Sequence, residues 1–334
     1  MQKISILGAG TWGTALAKVL AAGHEVKLWS ALGAEIDELS LTHKHKNLPG
    51  MILPESVILT KKIDEACLGA DFVIFAVPSP YVRSTAKLAS AYLNETQTIA
   101  DVAKGIEENS LMMLSEVIKS ECENVKNVVV LSGPTHAEEV ALDMPTTIVS
   151  ACNDMDAAER AADLFENTCI RAYTNPDVKG VELCGALKNI IAIAAGISDG
   201  IGYGDNIKVA IITRGIAEIQ RLGVAMGCNP HTFGGLAGIG DLIVTATSRH
   251  SRNHNAGYLI GQGRTPAEAI KEVGMVVEGI NALPAAMKLS ERYRVEMPIV
   301  FAVGELVNGG ISAREMSERL MRRDRKSEID VNLQ

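Results

Sequence analysis

The chain has 334 residues, 47% of them apolar and 22% charged, with a formal net charge of -8. That length exceeds one ordinary core and suits two domains, and the balance is that of a folded globular protein rather than a disordered or membrane-embedded one. The negative charge argues against nucleic acid as the main partner, because phosphate backbones are bound by excess Lys and Arg.

Met1-Gln2-Lys3 leads straight into a strand, with no apolar stretch and small-residue cleavage site behind it, so a cytoplasmic protein is expected. Six cysteines (Cys67, Cys122, Cys152, Cys169, Cys184 and Cys228) are scattered without a C-x-x-C pair. They signal neither a zinc site nor a disulfide framework, and are predicted to be reduced, mostly core thiols.

Residues 4–7 form a short strand that runs into Gly8-Ala9-Gly10-Thr11-Trp12-Gly13, after which Thr14 to Ala22 is predicted as helix. In such a turn Gly8 permits the tight bend, Gly10 the approach of a pyrophosphate, and Gly13 close packing of helix on strand. A second strand, Glu25 to Trp29, follows at the expected distance, which favours dinucleotide binding over an ordinary glycine turn. An acidic residue after that strand would bind the ribose of NAD, and a basic one would accept the extra phosphate of NADP. Ser30-Ala31-Leu32-Gly33 stands there instead, with Glu35 and Asp37 opening a helix, so the choice between NAD and NADP stays open.

His43 and His45 lie in a polar, turn-rich loop without a third metal ligand, and no metal is expected. Asp71 to Val77 is a continuous apolar strand ending at Pro78, as in a sheet buried on both faces. Thr98 to Val102 delivers Lys104 to the same carboxyl edge, and Val128 to Leu131 delivers Ser132-Gly133-Pro134-Thr135-His136-Ala137. Strands alternating with helices imply a doubly wound, mainly parallel sheet. Thr146 to Ser150 and Ile170 to Tyr173, flanking a helix from Asp154 to Phe165, are expected to extend it.

From Gly180 to Ile197 the chain reads as a helix apolar on nearly every face, hence one surrounded by protein, with Lys188 inside it. Its longest unbroken apolar run, Ile190 to Ala195, is far short of the roughly 20 residues a membrane span needs. Lys188 either snorkels its head to water or, with a lowered pKa, serves as acid/base. Beyond it the strand signal largely disappears. Ile207 to Met226 is helical, with Asp205 or Asn206 as N-cap and Gly227 as stop, and Pro298 opens a further helix. Thr265-Pro266-Ala267-Glu268 and Ser312-Ala313-Arg314-Glu315 read as capping boxes. Between these helices glycines flank Asp241, and Ser248 to His254 forms a cluster of anion donors around Arg249 and Arg252. His250 and His254 would share a face only on a helix, and Ser and Asn there argue against one. The basic run Arg319 to Lys326 reads as a solvated helix end. The expected architecture is α/β plus all-α: a Rossmann-like domain at 1–179, then a helical substrate and catalytic domain at 180–334.

Taken together, Gly8 to Gly13, Lys104-Gly105, Ser132 to Ala137, Leu187-Lys188-Asn189, Gly204-Asp205-Asn206, Gly240-Asp241-Leu242 and Ser251-Arg252-Asn253 resemble the bacterial soluble NAD(P)-dependent glycerol-3-phosphate dehydrogenases. The resemblance runs in register from the first strand to about residue 330. It implies interconversion of sn-glycerol 3-phosphate and dihydroxyacetone phosphate, mainly towards glycerol 3-phosphate for phospholipid synthesis. It also implies that Lys188 is the catalytic acid/base, and that Thr11, Trp12, Lys104, Ala137, Arg252, Val276 and Glu278, with Gly8, Gly10 and Gly13, line the cofactor. Lys104, Gly133, Thr135, Lys188, Asp241, Ser251, Arg252 and Asn253 would touch the substrate. The departure is at Ala31 and Leu32, where the family often carries arginine or histidine.

Ketone reduction needs a hydride donor held against the carbonyl, a donor to the oxygen and a proton supply. To work near neutral pH Lys188 should have a pKa lowered from about 10.4, through burial and a neighbouring cation such as Lys104. Asp241 would oppose that shift, so it is expected to bind a substrate hydroxyl or orient the ammonium rather than act as base. A hydroxy-acid dehydrogenase of the wider superfamily would need fewer anion donors. A non-catalytic dinucleotide sensor would not need Lys188, Lys104 and Asp241 together. A homodimer is expected, without membrane or nucleic-acid partners.

Overall fold

Short runs of β-branched and aliphatic residues build one eight-stranded sheet in the computed structural model, which describes residues 1–325 and 327–328. The strands are β1 (Lys3–Leu7), β2 (Glu25–Trp29), β3 (Ile58–Thr60), β4 (Phe72–Phe75), β5 (Thr98–Asp101), β6 (Asn127–Ser132), β7 (Thr146–Ala151) and β8 (Ile170–Asn175). Their order is β3-β2-β1-β4-β5-β6-β7-β8. Successive side chains point to opposite faces. Ile4, Ile6 and Ile74 therefore enter one apolar core and Leu7, Val73 and Phe75 the other. This burial on both faces is what the unbroken apolar strands required. At β1 the chain order reverses, between β2 on one side and β4 on the other, which opens a crevice beyond the carboxyl ends of the strands.

All neighbouring strands are parallel except β6 and β7. The connection between those two carries only the one-turn helix Ala137–Val140, too little for a crossover, and the strand returns antiparallel. β3 has no counterpart in the sequence reading: three residues with one exposed apolar side chain make no legible alternation.

The described chain forms two units, residues 1–104 with 112–178, and residues 105–111 with those from 179 onward. The second is helical. Its long helix, Val178–Ile201, is by length and composition able to cross a membrane, yet its most apolar window is wholly buried inside the protein. The following helix, Asp205–Ala225, is N-capped by Gly204 in extended conformation, not by Asp205 or Asn206, which lie in its first turn. Thr265 and Glu268 close a reciprocal capping box. Ser312 makes only half of one: its side chain accepts from Glu315 N, while the Glu315 carboxylate takes the Arg319 guanidinium at 2.7 Å. The basic end is exposed and paired with glutamates, Arg322 with Glu318 and Arg323 with Glu296; Lys326 and the last residues of the 180–334 domain lie outside the described residues.

None of the six cysteines forms a disulfide, and five of them are buried. Burial pushes the Cys67 thiol up to about 12 and the Cys122 thiol up to about 11, so both are inert.

Candidate active site

In the first unit the glycine run closes the β1 turn. Gly8 has φ +126, and a Cβ there would meet Ala76 O at 2.5 Å; one on Gly13 would lie 1.9 Å from Gly8 O. Gly10 differs, since a Cβ there would meet nothing within 4 Å. Gly10 is the N-cap of the helix Thr11–Leu20, which begins three residues earlier than the sequence suggested and has no side-chain cap. Its first N–H groups, at Thr11 and Trp12, carry the positive end of the helix dipole. An open flank beside an uncapped helix start fits a dinucleotide pyrophosphate.

At the same carboxyl edge Lys104, Gly133 and Thr135 come together. The Lys104 ammonium donates to Gly133 O at 3.0 Å and the Thr135 hydroxyl to the same oxygen at 3.1 Å. Ala137 starts the one-turn helix and is buried. After β2, Leu32 N donates to Ser30 Oγ at 3.1 Å, and the Ser30 hydroxyl donates to Glu35 Oε2 at 2.6 Å. Asp37 is turned to Lys61. His43 Nδ1 lies 3.3 Å from Leu53 O and His45 accepts from Asn47 N, while burial lowers the His45 pKa. Among the described residues no group of three or more potential ligands could hold a metal.

In the second unit Lys188 does not snorkel. Its side chain is 6% exposed, and its ammonium contacts the Asp241 carboxylate, itself 1% exposed. The ammonium also donates to Thr245 Oγ1 at 2.7 Å, and that hydroxyl donates to Asp241 O at 2.6 Å. A carboxylate and a hydroxyl thus offset the cost of burying the charge. Asp241 opens the helix Asp241–Thr247 just beyond the glycine-rich turn Leu236–Gly240, where a Cβ on Gly238 would lie 2.2 Å from Phe233 O. Gly238 is closely packed there, whereas a Cβ on Gly240 would make only ordinary contact, 3.6 Å from Gly235 O.

Ser251 is the N-cap of the helix Arg252–Gly261, its hydroxyl accepting from His254 N. Arg252, the first helical residue, is exposed. Asn253 is buried, and both ends of its side-chain amide are hydrogen-bonded: its N–H donates to Asn189 Oδ1 at 3.0 Å, and its Oδ1 accepts from Gly279 N at 2.9 Å. Glu278 opens the helix Glu278–Tyr293 beside that glycine, and Val276 lies half-buried in the preceding turn. His250 stands before the helix that carries His254, so the two share no helix face. Thr245 and Asn189 were not among the predicted site residues. The four-residue step from Asp241 to Thr245 on one helix face was a legible signal for the first, and adjacency to Lys188 for the second.

Comparison with known proteins identifies a family for the whole chain. Residues 3–158 match the family model described as NAD-dependent glycerol-3-phosphate dehydrogenase N-terminus, and residues 177–318 match the corresponding C-terminus. A protein of Lactobacillus delbrueckii subsp. bulgaricus named glycerol-3-phosphate dehydrogenase [NAD(P)+] 2 is 59% identical, covering 98% of this chain and 99% of its own. One from Agathobacter rectalis, named glycerol-3-phosphate dehydrogenase [NAD(P)+], is 52% identical over 98% of each chain. The crystal structure of a glycerol-3-phosphate dehydrogenase from Coxiella burnetii superposes with a TM-score of 0.92 at 35% identity, covering 96% of this chain and 99% of that one.

Proposed function

The chain belongs to the NAD-dependent glycerol-3-phosphate dehydrogenase family, and on that premise we propose how its residues divide the work. The reaction is the NAD(P)-dependent interconversion of sn-glycerol 3-phosphate and dihydroxyacetone phosphate. The bound dinucleotide supplies the hydride in one direction and takes it up in the other.

Residues 1–179 hold the dinucleotide: Gly8, Gly10 and Gly13 shape the turn, Thr11 and Trp12 present their N–H groups, and Lys104 and Ala137 line it, while the helical domain contributes Arg252, Val276 and Glu278. Residues 180–334 carry the proton chemistry. Lys188 donates a proton to the carbonyl oxygen of dihydroxyacetone phosphate as negative charge develops there, and removes the hydroxyl proton in reverse. Asp241 and Thr245 aim the ammonium, and Asp241 also faces the substrate. Ser251 and Arg252 grip the phosphate, Arg through paired N–H groups, with Lys104, Gly133, Thr135 and Asn253 on the remaining polar atoms.

One observation carries this reading: a lysine placed in the core, on a mostly buried helix, and held there by a carboxylate and a hydroxyl. We place the enzyme in the cytoplasm as a homodimer without membrane or nucleic-acid partners, supplying glycerol 3-phosphate for phospholipid synthesis. The burial of the long apolar helix Val178–Ile201 and the net charge of -8 support the reading of no membrane and no nucleic-acid partner.

The test is nicotinamide absorbance after mixing purified protein with dihydroxyacetone phosphate and NADH or NADPH, each alone. A rapid fall is expected. No fall with either, despite saturable dinucleotide binding, would sink the substrate assignment in favour of a hydroxy-acid substrate or a sensor.

A further inference from the structure

Three helix ends of the second unit meet at Asp199. Its Oδ2 accepts from His254 Nε2 at 2.8 Å and from Lys208 Nζ at 3.0 Å. Asp199 lies near the end of the Lys188 helix, Lys208 in the first turn of Asp205–Ala225 and His254 in the first turn of Arg252–Gly261. The three side chains are 18%, 21% and 12% exposed, so the cluster is far better shielded than an ordinary surface pair. Its hydrogen bond with Asp199 raises the Lys208 pKa, which keeps that ammonium charged. With Nε2 against a carboxylate, the His254 tautomer is the one that donates from Nε2; Nδ1 is buried and has no partner among the described residues.

His254 is also where this cluster reaches the phosphate anchor. Its backbone N–H donates to the Ser251 hydroxyl at 3.2 Å, closing the N-cap, and Arg252 is two residues away in the same turn. Arg252 is exposed and long, so a loose helix end would add backbone freedom to its own rotamer freedom, both of which binding must remove. The motif Gly204-Asp205-Asn206 acquires a reason as well: it starts the helix that brings Lys208 to Asp199.

We propose that His254 is a positioning residue: tied to Asp199 and Lys208, it holds the first turn of its helix so that Ser251 and Arg252 stand preset for the substrate phosphate. This rests on the reading of Ser251 and Arg252 as the phosphate anchor.

The experiment uses the full chain and measures kcat, KM for dihydroxyacetone phosphate and inhibition by inorganic phosphate. His254→Ala should raise KM and the phosphate inhibition constant together by about tenfold while kcat changes by less than about twofold. His254→Gln, whose amide N–H reaches the Nε2 position, should restore most of the loss. His254→Asn is polar but too short to reach Asp199, so it should behave as alanine does and keeps the test open if the alanine variant fails to fold. On an Arg252→Ala background the His254 effect should largely vanish, because one acts through the other. Unchanged KM and phosphate inhibition in folded His254→Ala or His254→Asn, or an undiminished effect on the Arg252→Ala background, overturns the proposal. Arg252→Ala with normal KM and normal phosphate inhibition overturns the anchor reading beneath it, a separate failure visible in the single variant.

Discussion

The Glu218 carboxylate, on the helix Asp205–Ala225, accepts the Ile299 N–H through both oxygens, at 2.9 and 3.1 Å. With a third contact from Val300 N at 3.4 Å, it caps the helix Pro298–Val307 from 80 residues away in sequence. Burial is the larger influence on this group: it pushes the pKa from the ordinary 4.5 up to about 7, against those N–H groups and the more distant Arg221 and Arg323.

A native pKa above the unfolded one means that the folded chain keeps a proton the unfolded chain has released. The protonated form therefore adds stability in full below pH 4.5, and that contribution is lost as pH rises towards about 7. The amount at stake is about 3 kcal/mol. Urea unfolding of wild type and Glu218→Gln at about pH 5 and about pH 8 isolates it. The difference in stability between the two proteins should change by that order between the two pH values; a constant difference would mean the carboxyl titrates normally.

Lys188→Met removes the proposed proton donor and leaves Asp241 buried without its ammonium. Turnover should fall by about 10²- to 10⁴-fold, with a smaller change in binding of inorganic phosphate. Stability should fall by about 3 kcal/mol or more, and Asp241→Asn in the same chain should return part of that stability but none of the turnover. Near-normal turnover in Lys188→Met would remove Lys188 from the mechanism.

The two kinds of glycine in the β1 turn should separate in one experiment. Gly13→Ala forces a Cβ against Gly8 O and should cost about 2–4 kcal/mol or prevent folding. Gly10→Ala meets open space at an ordinary φ of -67, so its stability should stay within about 1 kcal/mol of wild type. Its affinity for NADH, followed by fluorescence titration, should nonetheless drop by about tenfold or more, because the added methyl stands where the pyrophosphate would approach. Normal NADH affinity in Gly10→Ala would remove that turn from the cofactor site.

Glu35 bears on the choice of dinucleotide. Its carboxylate is hydrogen-bonded to Ser30, the residue immediately after β2, and would repel a phosphate on the ribose. NADH should therefore be used in preference to NADPH, and Glu35→Gln should narrow the ratio of their kcat/KM values. A wild-type preference for NADPH would show that the carboxylate does not face the ribose.

Much of this was legible because it depends on local pattern. Phe72–Phe75 was legible as a central strand because a short run of aromatic and β-branched residues closed off by Pro78 suits a sheet buried on both faces, and the β1 turn declared itself by glycine spacing. Lys188 stood out as the one lysine between Gly180 and Ile197. What could not be read depends on pairing across the fold. The direction of β7 follows from how little helix its connection carries, and β3 is too short to show a period. Asp241 lies 53 residues from Lys188, Asp199 lies 55 from His254, and Glu218 lies 81 from Ile299; only packing chooses such partners. The reach of Asp205 as an N-cap was misjudged because Gly204 already held the extended geometry a cap requires.

Residues 105–111 belong with the helices although they sit in the first third of the chain, and Glu108 among them pairs with Lys288 at 3.3 Å. The helical unit is therefore not a contiguous module. A fragment starting at residue 180 would lack a piece of its own packing, and a chimera joined only there would inherit that piece from the wrong parent. Shuffling with a relative should use three junctions, near 104, 111 and 178, so that the short excursion travels with the helices it supports.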